Sequence, residues 1–271
     1  MSFRSYALLP FGCAFVLLGM HMALTPLAKW GTGLDIVSLG AKILALIGAV
    51  LAARSFDRGD YMRRAFALEV ATFGCLVIRD CFSLIPPIRA MLEAAQVYDS
   101  LWRVLFIAAN VAGVFAAFMM ARAAKLAEFD SEEMRVRGYL WLLLATLVGL
   151  VLTGPSIVVS AVELRDGRLH SFIVLIGSLA DLAAFVLTVP VVRLAFALRG
   201  GLLHIPWTLL ATARMFWLVR DCVTVAPPWL WNHSAFVLVA EATRTLACTY
   251  DLSAGLAFRQ IFAAPADAPE D

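Results

Sequence analysis

The stretch Val77–Pro87 reads VIRDCFSLIPP, and Leu218–Pro228 reads LVRDCVTVAPP. Each sets two adjacent charges inside a long apolar run and ends on Pro-Pro. A shift of 141 residues superimposes Arg79-Asp80-Cys81 on Arg220-Asp221-Cys222 and Pro86-Pro87 on Pro227-Pro228. The same shift aligns Arg103 with Arg244 and Leu105 with Leu246. Looser matches continue toward the N-terminus: IVSLGA from Ile36 resembles IVLIGS from Ile173, and Pro26 falls near the register of Pro155. The repeat points to a duplicated chain.

The composition sets what is duplicated. Hydrophobic residues make up 62% of the 271 positions and charged residues 15%, with a mean hydropathy of +0.85. A soluble domain is closer to half apolar and a quarter charged. Eight runs of about 20 apolar residues are each long enough to cross a hydrocarbon core as a helix: 7–28, 35–54, 64–86, 98–121, 138–161, 170–195, 205–227 and 234–260. The fold class expected is therefore all-α, a polytopic membrane protein of about eight transmembrane helices in two parallel four-helix repeats. The first unit covers residues 1–130 and the second 131–262; the acidic, proline-containing tail 263–271 is expected to be disordered. Four helices per unit is an even number, so both units enter the membrane in the same direction.

Charge distribution orients the bundle. With eight spans both termini share a side, which carries twelve of the loop Lys/Arg residues against four on the other. The positive-inside rule then puts both termini in the cytoplasm, and the short outer loops fit a bacterial inner membrane protein. A net charge of +2 without a basic run argues against nucleic acid. The five cysteines and four histidines form no ligand spacing, so no metal or cofactor is expected. No nucleophile–base pattern indicates an enzyme.

The charges inside spans are the candidate site residues. Asp80 lies six residues before Pro86, about 9 Å below the outer turn at 1.5 Å per residue, and Arg103 lies at a matching depth on the next helix. The two are expected to pair across the hairpin as a structural staple, and Asp221 with Arg244 likewise in the second unit. Seven residues deeper on each helix, Arg214 and Asp251 should meet in turn. Their counterparts in the first unit are Phe73 and Asn110, so both charges are absent together, as expected of a buried ion pair. Glu241, Arg244, Cys248 and Asp251 share one stripe of the last span. Asp181, midway along the sixth, has no partner by this depth rule. Lys42 is expected to pair or snorkel, and Glu69 to pair with the arginines of the inner loop.

The function these residues favour is a small transporter or permeation protein. A polar region between the third, fourth, seventh and eighth spans would pass a small charged or proton-coupled solute. Its ligand or ion pathway would be Arg214, Asp251, Asp221, Arg244, Glu241, Asp181 and Asn110. The competing reading is a non-catalytic membrane subunit or sensor that docks a partner protein through the charged connector Arg122–Gly138.

Overall fold

The computed structural model describes residues 3–24, 30–127, 132–168, 170–224 and 234–262. Among them are nine helices: α1 (Phe3–Leu24), α2 (Trp30–Arg54), α3 (Tyr61–Leu84), α4 (Pro86–Ala94), α5 (Tyr98–Ala127), α6 (Glu132–Arg165), α7 (His170–Ala197), α8 (His204–Thr224) and α9 (Ser234–Phe262). No strand occurs among the described residues. The all-α expectation holds, and α4 is the one helix that the eight runs did not anticipate.

Six helices close into a ring. α2 packs on α3, α3 on α5, α5 on α7, α7 on α8, α8 on α9, and α9 returns to α2. α1 leans on α2 and α9, and α6 on α7. The α2–α9 seam is built from small side chains: Ala41, Ala45, Gly48, Ala49 and Ala52 are all buried on α2. A Cβ on Gly255 of α9 would strike the Gly48 carbonyl, and one on Gly48 would strike the backbone of Asp251 and Leu252. Small residues permit this approach of two backbones, as they do between membrane helices.

The outside of the bundle is apolar. Leu140, Leu144, Leu147, Val151, Val158 and Val162 of α6 are all exposed and recur at helical spacing along one face. So continuous an exposed apolar stripe has no place in water and is compatible with an integral membrane protein. Four helical stretches are long and apolar enough to cross a membrane: Asp35–Arg54, Tyr98–Leu126, Gly138–Arg165 and His170–Ala197. α3, α8 and α9 have the length, at 24, 21 and 29 residues, but their charges lower their hydropathy.

Pro86 and Pro87 do not form the turn itself. α3 ends at Leu84, Ile85 is extended, and the two prolines take the first positions of α4, where the missing N–H is not needed. α4 has no buried residue and ends in a Schellman cap, with Val97 N bonded to Leu92 O and Gln96 N to Glu93 O around a left-handed Gln96 at φ 56°. The turn after α8 (225–233) and the tail lie outside the described residues.

Candidate functional site

The ring encloses a cavity of about 230 Å³, where one water needs only about 10–15 Å³. Every helix of the ring contributes wall. α2 brings Lys42, α3 Arg79, α5 Asn110, α7 Asp181, α8 Arg214 and Arg220, and α9 Arg244. Between these polar groups the wall is apolar, with Phe106, Leu76 and Trp217 prominent. Residues of α3, α5, α8 and α9 thus line one space together with residues of α2 and α7.

Among the described residues, five of the wall's side chains are cationic and one, Asp181, is a carboxylate. The acids that pair with these cations lie off that wall. Asp80 is absent from the wall; it accepts from Lys42 and, at 2.7 and 3.0 Å, from Arg79. Lys42 also donates to Ser38 Oγ at 2.9 Å. Arg79 lies over the rings of Trp102 and Phe106 at 5.2 and 6.0 Å, so its cation is held by a carboxylate and by two aromatic faces. Arg244 bonds Glu241, one turn before it on α9, and its Nε is buried without a hydrogen-bond partner among the described residues. Asp35, at the other end of the α2 stripe Asp35–Ser38–Lys42, is exposed and within electrostatic range of Asp80, Glu241 and Arg244.

A second, smaller void adjoins the first. Its wall holds Glu69 of α3, Arg214 of α8 and Asp251 of α9, with Gly48 and Ala49 of α2 beside them. Glu69 and Asp251 are 2% and 6% exposed. Arg214 donates to Glu69 Oε1, while Glu69 Oε2 has no hydrogen-bond partner among the described residues. Asp251 accepts from Trp217 Nε1 at 3.3 Å and is within electrostatic range of Arg214. Two residues, Phe73 and Arg214, belong to both walls, so Arg214 is the charge that connects the two spaces.

Several sequence expectations change. Asp80 does not pair with Arg103, which is exposed on α5; its partners are Lys42 and Arg79. The depth rule matched the levels of α3 and α5 but not their azimuths, and α3 turns Asp80 toward α2. Arg214 and Asp251 do share a level and a void, yet the direct bond of Arg214 goes to Glu69. Glu69 is a buried core group, not a partner of the inner-loop arginines. Asp181 lies on the cavity wall and is not isolated. Asn110 also lies on the wall, its Nδ2 bonded to Phe106 O at 2.9 Å. The side chain of Asp221, and with it the expected Asp221–Arg244 pair, lies outside the described residues, as does most of Arg122–Gly138.

Lys42 pairs, as the sequence led one to expect, and its partner is Asp80; Glu69 is the residue whose expected partners were wrong. Each had a signal. Asp35, Ser38 and Lys42 form a polar stripe on an otherwise apolar helix, and Glu69, Thr72 and Arg79 form one on α3. Among the described residues no group of three His, Cys, Asp or Glu side chains is placed to hold a metal. The chain matches no family model, no curated protein and no solved structure.

Proposed function

We propose that this chain is an eight-span membrane transporter, built from two parallel four-helix repeats, which carries a small anion through the cavity inside its six-helix ring. The carrying observation is the polarity of the cavity wall. Among the described residues five cations and one carboxylate, Asp181, line the space, and each acid paired with Lys42, Arg79, Arg214 or Arg244 lies off that wall. Intramembrane charges are expensive and mark substrate or ion paths. Cations presented to a void, with their paired carboxylates off its wall, favour a negative guest.

The repeat is supported by packing as well as by sequence. Exchanging α1 with α6, α2 with α7, α3 with α8 and α5 with α9 turns the α2–α9 contact into α7–α5 and α3–α5 into α8–α9, and all four contacts occur. Positions 141 residues apart also face each other. Arg79 and Arg220, Leu76 and Trp217, and Phe73 and Arg214 line one cavity, and Glu69 and Leu210 line the small void. A pseudo-two-fold axis along the membrane normal accounts for this. It also accounts for α3, α8 and α9 as spans, because their charges turn to the ring interior and away from lipid. By the positive-inside rule both termini are cytoplasmic.

The full chain reconstituted in proteoliposomes tests the reading. Acetate, chloride and inorganic phosphate serve as anion probes, and choline and ammonium as cation probes. Uptake of at least one anion is expected, with no cation uptake. The charge-balanced variant Glu241→Gln/Arg244→Gln should lower that uptake at least tenfold. Cation uptake in place of anion uptake, or full anion uptake by the variant, overturns it.

A further inference from the structure

The small void raises a question of charge balance. Two buried carboxyl groups and one partly buried guanidinium share one small void. With both acids ionised the group carries −1 in a medium where an unpaired charge costs several kcal/mol. No other element corrects this. α2 presents Gly48 and Ala49 there, α3 adds Phe66 and Phe73, α8 adds Leu210, and α9 adds Ala254. Cys248 is the nearest other titratable side chain along α9, one turn before Asp251, and is buried as a free thiol. Lys42 of α2, Asp181 of α7 and Arg220 of α8 face the larger cavity. α1 packs on α9 but lines neither void.

We propose that Glu69 and Asp251 form a proton site that Arg214 couples to the anion cavity: one of the two carboxyls carries a proton while the cavity is empty, and both do when an anion engages Arg214. The coupling rests on the anion reading above; the proton site does not. Arg214 is the charged residue common to both walls. With the cavity empty, one carboxylate balances its guanidinium and the other must be neutral. The unpartnered Glu69 Oε2 has room to carry a proton. An anion that takes over the guanidinium leaves the first carboxylate without its cation, and that carboxylate then accepts a proton from water. Both states are neutral. One proton enters with each anion, which makes the transporter a proton–anion symporter.

The linkage has a fixed sign. If binding takes up one proton, anion affinity rises as pH falls, by up to tenfold per pH unit. Two readouts on the full chain in nanodiscs separate the parts. The infrared stretch of protonated carboxyl, read without any anion, is expected at neutral pH and should vanish in Glu69→Gln and in Asp251→Asn. Both variants are near-isosteric, and their helical circular dichroism confirms folding. Proton uptake per bound acetate or phosphate, read from binding heats in two buffers of different ionisation enthalpy, is expected near one in the native chain and in either single variant, and near zero in the double variant Glu69→Gln/Asp251→Asn, which keeps no carboxyl beside Arg214. Absence of the carboxyl band overturns the proton site whatever the anions do. A band with anion binding but no proton uptake overturns the coupling. A band without binding of either anion counts against the anion reading while supporting the proton site.

Discussion

Replacing Arg214 by Phe, the residue 141 positions earlier at 73, removes the one cation that lines the small void among the described residues. Glu69 and Asp251 remain, 2% and 6% exposed, with Trp217 Nε1 the donor left to Asp251. Removing one partner of a buried ion pair destabilises by about 3–5 kcal/mol, which is two to four orders of magnitude in the folding equilibrium at 1.36 kcal/mol per tenfold. The triple variant Glu69→Leu/Arg214→Phe/Asp251→Asn copies Leu210, Phe73 and Asn110, the residues 141 positions away in the sequence, two of which already line the same void. It leaves no charge there, and replacing a whole buried ionic group by packed apolar residues is often neutral or stabilising by about 1–4 kcal/mol. The triple variant should therefore recover most of what the single variant loses. Unfolding of the purified chain in mixed micelles, titrated with a denaturing detergent and followed by helical circular dichroism, measures both. A triple variant as unstable as the single one would refute the argument, because the loss would then come from Arg214 packing. A single variant as stable as the native chain would refute it too, since the void would then have to be wet.

Two further outcomes follow from the packing. Gly255→Ala places a methyl against the Gly48 carbonyl, so α2 and α9 must separate; overpacking of this kind costs about 1–3 kcal/mol, and the same unfolding titration should show it, whereas Gly154→Ala, with nothing near its Cβ, should show no loss. Lys42→Met takes away the α2 partner of Asp80 and should destabilise by more than about 1 kcal/mol, whereas Arg103→Ala, at an exposed site, should stay within about 0.5 kcal/mol; the reverse order would restore the hairpin pairing of Asp80 with Arg103.

Much of the site was legible as a set of residues but not as a set of pairs. A charge in a long apolar run must turn inward, so the stripes of α8 and α9 and the missing charges at Phe73 and Asn110 could be read from the sequence. Depth was legible too, because rise per residue is fixed, and Arg214 and Asp251 do share a level. Azimuth was not. Which neighbour a side chain meets depends on helix rotation and on which helices are adjacent, and α2 reaches α3 and α9 only through the closed ring. That is why the sequence leaves the partner of Lys42 open and assigns Glu69 to the inner-loop arginines, whereas they pair with Asp80 and Arg214.

The sequence by itself determined an all-helical apolar chain, the positions of its long helices, a repeated Arg-Asp-Cys/Pro-Pro unit and the charges that cannot face lipid. These follow from local chemistry: run length, helical period and the cost of a charge in hydrocarbon. Only the tertiary structure decided the partners. Lys42 crosses to Asp80 over 38 residues of sequence and Arg214 to Glu69 over 145, because ring closure brings distant helices together. It also decided that, among the described residues, five cations and Asp181 line the cavity while Asp80, Glu69 and Glu241 lie off its wall, and that Arg214 is the charged residue lining both voids. Side-chain direction at a shared depth is set by packing, which no spacing along one chain encodes.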